Sequence, residues 1–139
     1  MKFRILFISF FMVLISCKEY IKPIGLDSLS GYWEIEKVIL PDGSEKIYKA
    51  NDTFDYFELN DSLSFRKKVV QQFDGSFISN EVLEKFTITT KDGIYFINYT
   101  TKYAKWQEEI LSLNNEKLVV KNNNEFEYHY KKPVLFSPK

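Results

Sequence analysis

The chain has very little of the two residues that most often cross-link or bind metal. It contains one cysteine, Cys17, and one histidine, His129, in 139 residues. A single cysteine excludes an intramolecular disulfide, so a folded domain must depend on packing for its stability. A zinc site draws its ligands mainly from cysteine and histidine, and an Asp-rich calcium loop is missing as well. We therefore expect no metal and no other cofactor.

The sequence also lacks the elements of a catalytic site. His129 alternates with Glu127 and Lys131, which places it on the polar face of a predicted strand. A general base needs an orienting partner and a nucleophile, and no such arrangement surrounds it. Glu108 and Glu109 are neighbours in a strand and point to opposite faces, so they cannot act as a carboxylate pair. We predict a solvated histidine and no enzymatic activity.

An excess of charge and a long apolar run are both missing. The chain has 19 basic and 19 acidic residues, which gives no indication of nucleic-acid binding. The longest apolar stretch is 5–15, interrupted by Ser9 alone. Eleven residues suit the core of a signal peptide and fall short of the ~20 that a membrane-spanning helix requires.

The start of the chain resembles a bacterial lipoprotein leader. Lys2 and Arg4 precede the apolar stretch, which ends in Leu14-Ile15-Ser16-Cys17, similar to a lipobox. The resemblance implies that residues 1–16 are a signal peptide cut before Cys17, that the Cys17 thiol carries diacylglycerol, and that the new amine is acylated, for example by palmitate. It also implies a cell-envelope protein anchored by lipid, with the outer membrane as the expected site. The alternative is an ordinary secretory leader followed by an incidental cysteine.

After the leader, the sequence predicts one all-β domain. Residues 17–29 contain Pro23 and Gly25 and are predicted to be a lipidated tether, residues 30–133 the domain, and residues 134–139 a tail. Aromatic residues make up 17% of the chain, and short runs rich in Val, Ile, Thr, Tyr and Phe favour strands. Eight strands are predicted, at residues 31–40, 54–59, 63–73, 82–90, 94–103, 106–113, 118–121 and 126–132. Short turns join them as an antiparallel up-and-down meander, and closure into a small β-barrel removes the exposed edges.

The early Gly31-x-Trp33 followed by this meander resembles the lipocalin superfamily. Within that superfamily, the chain resembles more closely the small lipocalin-like lipoproteins of Bacteroidota, which share a lipobox, a tether, this motif and a late hairpin, here Leu111-Ser112 to residues 118–120. The resemblance implies that Trp33 is buried and closes the floor of the barrel. Lipocalins place an arginine from the last strand against this tryptophan, and here Lys131 or Lys132 would have to replace it.

Strand alternation assigns one set of residues to the inside of the barrel. The assigned residues are Trp33, Ile35, Phe57, Leu59, Leu63, Phe65, Phe86, Ile88, Phe96, Asn98, Leu118, Val120, Phe126 and Tyr128. Of these, four are predicted to line a modest apolar pocket: Phe65, Phe96, Asn98 and Tyr128. Two functions stay open: a lipid-anchored barrel that binds a small apolar ligand or lipid, and an envelope interaction module with a filled barrel. The sequence indicates no particular protein partner.

Overall fold

The chain folds into an all-β structure in a computed structural model that describes residues 25–139. A short 3₁₀ helix, Leu26–Leu29, precedes the first strand. Ten strands follow in chain order: β1 Gly31–Ile39, β2 Glu45–Ile47, β3 Thr53–Glu58, β4 Phe65–Gln71, β5 Phe77–Ser79, β6 Glu84–Lys91, β7 Ile94–Thr100, β8 Lys105–Leu113, β9 Lys117–Asn122 and β10 Glu127–Lys131.

Eight of these strands form a closed antiparallel barrel. Their order around the ring is β1, β3, β4, β6, β7, β8, β9 and β10, and β10 closes it by pairing with β1 over Glu34–Ile39. Closure gives the long strands partners on both sides, which removes the exposed edges of an open sheet. The predicted eight-stranded barrel is confirmed, and each of the eight predicted strands corresponds to one member of the ring.

The sequence did not predict β2 and β5, the two three-residue strands. β2 pairs with the second half of β1, beyond the three residues that β1 shares with β3. β5 pairs with the end of β4, beyond the two positions at which β6 joins it. Turns that contain Asp42-Gly43 and Asp74-Gly75 precede them, and both glycines have the positive φ that such turns require. Three residues are too short to show the alternation by which a strand is recognised.

The core fills the inside of the barrel. Its buried members are Leu29, Trp33, Phe57, Phe86, Ile97, Tyr99, Ile110, Leu113, Leu118, Val120 and Tyr130, with Ile35, Leu59, Ile88 and Tyr128 packed against them. The predicted alternation therefore agrees with the structure in β1, β3, β6, β9 and β10. Leu29 was predicted to lie in the tether, but it is a core residue of the barrel.

The inward assignment is wrong in β7 and at the start of β4. Ile97 and Tyr99 are buried in the core, so Phe96 and Asn98 lie on the outer face of β7. Large side chains occupy both faces of this strand, so its alternation did not distinguish inside from outside. In β4 the inward residue is Arg66, and Phe65 lies outside, where its ring is 6.3 Å from that of Tyr56. Leu63 lies in the loop before β4 and is exposed.

None of the helical residues in the described range 25–139 forms a helix long and apolar enough to cross a membrane.

Candidate functional site

Trp33 is fully buried in the core, where it contacts the chain on both sides of the barrel sequence. Its indole Nε1 donates a hydrogen bond of 2.8 Å to the carbonyl oxygen of Leu29, which ties the 3₁₀ helix to the core. The Lys132 amine lies 3.8 Å from the centroid of the Trp33 ring, a cation–π contact. Burial lowers the pKa of the Lys132 amine. Lys132 therefore takes the position that the resemblance assigned to an arginine.

Gly31 is adapted to this lysine. Its φ is +124°, and a Cβ built there would lie 3.1 Å from the Lys132 Nζ. A side chain at this position would be strained and would push against the amine. The Gly-x-Trp spacing thus has a physical reason: the glycine leaves room for the cation, and the tryptophan two residues later supplies the ring beneath it.

A charged cluster lies inside the barrel, next to the apolar core. Arg66 Nε donates a hydrogen bond of 2.6 Å to Glu84, and its Nη1 lies 3.3 Å from the Tyr99 hydroxyl and 3.6 Å from a Glu108 oxygen. The Tyr99 hydroxyl donates to the other Glu108 oxygen at 3.1 Å. The guanidinium also stacks over the Tyr99 ring, 4.4 Å from its centroid. These contacts satisfy the arginine inside the protein, as a buried charge requires.

Burial changes the acid–base behaviour of the two acidic groups of this cluster, Glu108 and Tyr99. It raises the pKa of the Glu108 carboxyl, and the Arg66 charge and the Tyr99 hydrogen bond oppose the effect. It also raises the pKa of the Tyr99 hydroxyl well above its ordinary value. The sequence analysis did not predict this cluster, because it placed Phe65 rather than Arg66 on the inside and assigned no inward face to the strand that carries Glu108. The signal that could have found them is parity, since Glu108 shares a strand face with Trp106 and Ile110.

A small recess opens through the barrel wall beside this cluster. Its volume is about 50 Å³, and it is lined by Asp55, Arg66, Lys67, Lys68, Asn80, Val82 and Glu84. It lies at the junction where β4 passes from its pairing with β6 to its pairing with β5. A recess of this size holds roughly three to five water-sized atoms, which is too small for a typical apolar ligand.

An open groove lies on the outside of the barrel, between the β4–β5 turn and the C-terminal tail. We call it the tail groove. It consists of two adjoining hollows of about 290 and 490 Å³. Their lining residues are Asn51, Asp52, Phe54, Val70, Gln71, Gln72, Phe73, Asp74, Val134 and Phe136. Phe73 is 95% exposed and Val134 97% exposed, so the groove presents large apolar side chains to solvent.

The tail is held in place by β4. Gln71 Nε2 donates to the Phe136 carbonyl and Gln71 Oε1 accepts from the Phe136 amide, both at 2.9 Å. The tail then passes Gly75, where an added Cβ would come within 3.0 Å of Pro138. The predicted tail 134–139 is therefore part of the folded domain and forms one wall of the groove.

The predicted ligand-lining residues do not come together. Tyr128 faces the interior and packs against the core. Asn98 hydrogen-bonds on the outer surface with Thr89 at 2.8 Å and Gln107 at 2.7 Å, and Phe65 and Phe96 also lie outside. His129 Nε2 lies 3.3 Å from Glu127 on the outer face of β10. Cys17 lies outside the described residues.

In the described part of the chain, no group of three or more histidine, cysteine, aspartate or glutamate side chains is placed to hold a metal ion.

Comparison with known proteins gives one match. The family model of the lipocalin-like domain matches residues 29–120. No curated protein and no solved structure matches the chain. The matched range begins at the core residue Leu29 and extends through the Gly-x-Trp motif to the core residue Val120 of β9. The chain therefore belongs to the lipocalin-like domain family.

Proposed function

We propose that this protein is a non-enzymatic lipoprotein of the cell envelope, anchored by lipid on Cys17, whose barrel domain binds a small apolar ligand or lipid in the tail groove. The observation that carries the proposal is the contrast between a packed interior and an apolar groove outside. Lipocalin-like domains form a binding fold, and in this member the space for a ligand lies beside the barrel.

The lipobox supports the anchoring. Ser16 is small enough for a peptidase to reach the bond before Cys17, and the Cys17 thiol supplies the nucleophile for the lipid donor. Labelling cells with an alkyne fatty acid tests this directly. We expect Cys17→Ser to lose the label, because serine lacks the thiol that accepts the diacylglycerol. Without the lipid chains that together hold a protein firmly on a membrane, the variant should move to the soluble fraction. Label that persists in Cys17→Ser would refute the anchor.

The size and chemistry of the tail groove support the ligand. Pockets for small molecules typically have volumes of roughly 300–1,000 Å³ with mainly apolar walls, and the larger hollow of the groove has a volume of about 490 Å³. Phe73 and Val134 are among the most exposed large apolar side chains of the described residues. Such exposure has a free-energy cost in water that a bound apolar chain would recover.

Titration with a fluorescent fatty acid, kept below its micelle concentration, tests the ligand. We expect saturable binding that Phe73→Ala weakens by roughly tenfold, because the ring supplies apolar area that is worth about 25 cal/mol per Å². Tyr103→Ala is the matched control, since Tyr103 is another loop aromatic, 89% exposed, and lies outside the groove. Equal losses in the two variants would count against the groove.

The packed barrel favours a second candidate, an envelope accessory module that binds no small ligand. The same titration separates the two functions. Absence of saturable binding, together with an unchanged melting temperature across a panel of lipids, would make the accessory module the better description.

A further inference from the structure

The charged residues of the tail groove all have the same sign. Asp52 and Asp74 line the larger hollow, and Asp52 also lines the smaller one. Among the described residues that line the groove, none is a lysine, an arginine or a histidine. Lys49 and Lys139, which lie near these segments in the sequence, are not part of the lining. The groove therefore has negative charge that no lining residue balances.

The two aspartates are open to a ligand. In the part of the chain that the structure describes, neither forms a salt bridge. Asp52 Oδ1 accepts a hydrogen bond of 3.3 Å from the Thr53 hydroxyl. Asp74 Oδ1 accepts from the amide and the hydroxyl of Ser76, at 2.9 and 2.5 Å. These bonds use Oδ1 alone, so Oδ2 of each carboxylate is available to a ligand.

Asp74 is ionised at neutral pH. The hydrogen bonds from Ser76 stabilise the charged form and lower the pKa of the Asp74 carboxyl below its ordinary value. Its negative charge is therefore fixed over the whole physiological range of pH.

Both aspartates line the same hollow as the exposed ring of Phe73. The carbonyl oxygen of Asp52 accepts a hydrogen bond of 2.8 Å from the Gln71 amide, which places Asp52 beside the end of β4. Asp74 directly follows Phe73 in the turn. An aromatic ring attracts cations to its face and packs against alkyl groups. The carboxylates and the ring together suit a ligand that has a positive head group on an apolar chain.

A negative head group is disfavoured in the same place. Two unit charges about 4 Å apart in water change an affinity by roughly fivefold, through attraction or through repulsion. The Gln71 side-chain amide already donates to the Phe136 carbonyl, so it is not free to bind a carboxylate. An anionic head group would meet two repelling charges, whereas a cationic one would meet two attracting charges.

We infer that the tail groove selects single-chain amphiphiles with a cationic head group, such as alkylammonium ions. The alkyl chain packs along Phe73 and Val134, and the ammonium group lies at Asp52 and Asp74. This inference rests on the proposed binding of an apolar ligand in the tail groove and names the chemical class of that ligand. Fatty acids share the alkyl chain and bind through it alone, so they are the weaker ligands.

Three decyl compounds with different head groups test this selection. Decylammonium, decanol and decanoate have the same chain and carry a positive charge, no charge and a negative charge at neutral pH. Titration into the purified protein, followed by the amide shifts of residues 70–74, should give affinities that fall in this order. At low salt we expect decylammonium to bind roughly tenfold more tightly than decanoate. The difference should shrink in about 1 M sodium chloride, where the Debye length is about 3 Å.

The chain offers a matched control for the aspartates. Asp52→Asn/Asp74→Asn removes both charges and keeps an oxygen acceptor at each position, so the three compounds should then bind with nearly equal affinity. Asp42 has the same local structure as Asp74, because its Oδ1 also accepts from the amide and the hydroxyl of a serine two residues later. Asp42 does not line the groove, so Asp42→Asn should keep the wild-type order.

The outcomes separate the head group from the groove. Equal affinities of the wild type for the three compounds, tighter binding of decanoate, or an order that the double variant leaves unchanged would overturn the inference. Shifts at residues 70–74 would still support the proposed function in each of these cases. Absence of saturable binding by all three compounds would refute the proposed function and the inference together. If the double variant fails to fold, the order of affinities in the wild type decides the question.

Discussion

At the residue scale, the most informative feature is the set of contacts around Trp33. The indole joins the 3₁₀ helix to the barrel through Leu29, carries Lys132 on its face and belongs to the buried core. Gly31 leaves space for the lysine. A single ring thus connects the entry of the chain into the domain with the residue that follows the last strand.

Truncation of Trp33 should be strongly destabilising. Trp33→Ala removes a fully buried ring and leaves a cavity, so we expect a loss of about 3–5 kcal/mol in the free energy of unfolding. Denaturant midpoints provide the measurement, because the fluorescence of Trp106 complicates an optical comparison. A loss no larger than that of the exposed control Tyr103→Ala would contradict the role of Trp33 in the core.

The raised pKa of Glu108 predicts a pH dependence. Between the ordinary glutamate value of 4.5 and the raised value, the folded protein holds a proton that the unfolded chain has released. The contribution of Glu108 to stability therefore falls as the pH rises through this window. Glu108→Gln, which cannot ionise, should lack this fall.

Unfolding of the wild type and Glu108→Gln in denaturant, from about pH 4 to about pH 8, provides the comparison. Glu109→Gln is the matched control, because Glu109 lies on the opposite face of β8 and should keep the wild-type profile. Parallel curves for the wild type and Glu108→Gln would show that burial does not control this carboxyl.

At the scale of elements, the barrel has two short seams. β1 and β3 pair over three residues and β4 and β6 over two, and the small strands β2 and β5 continue the ladders beyond these points. The small recess through the barrel wall lies at the β4–β6 seam, and the turn that leads to β5 forms one side of the tail groove. The recess and the groove thus both lie where the regular meander is interrupted.

The C-terminal tail should detach when Gln71 is truncated. Gln71→Ala removes both side-chain hydrogen bonds to Phe136. We therefore expect faster hydrogen exchange at the Phe136 amide and weaker binding of the fatty acid in the tail groove. The neighbouring Gln72→Ala should leave that amide protected, because Gln72 does not bond to the tail. Unchanged exchange in Gln71→Ala would mean that other contacts hold the tail.

The ring of strands could be predicted from the sequence, whereas the sites could not. Turn residues such as Asp92-Gly93 and clear alternation in β6 and β9 are local signals, and they placed all eight strands of the barrel. The inward face of β7 was assigned wrongly because large side chains lie on both faces of the strand, Phe96 on the outer face and Tyr99 on the inner one. Arg66 and Glu108 could not be placed inside from the sequence, because each is buried with the other as a charged partner and the two lie on strands far apart in the chain.

At the scale of the whole molecule, the packed interior determines where a ligand can bind. Side chains such as Ile97, Tyr99 and Val120 occupy the space in which a hollow barrel would hold its ligand. Large apolar groups are exposed beside the barrel at Phe73 and Val134 instead. The chain thus combines a lipocalin-like barrel with an apolar groove outside it, which we propose binds the ligand, on a domain that we propose is tethered to a membrane.

An NMR titration with a spin-labelled fatty acid locates the ligand on the protein, since the label broadens the signals of nearby amides. We expect broadening confined to the tail groove, at residues 70–74 and 134–136, with the Trp33 indole and the Val120 amide unaffected. Broadening at Trp33 and Val120 with sharp signals at Phe73 would contradict it, because the ligand would then lie inside the barrel.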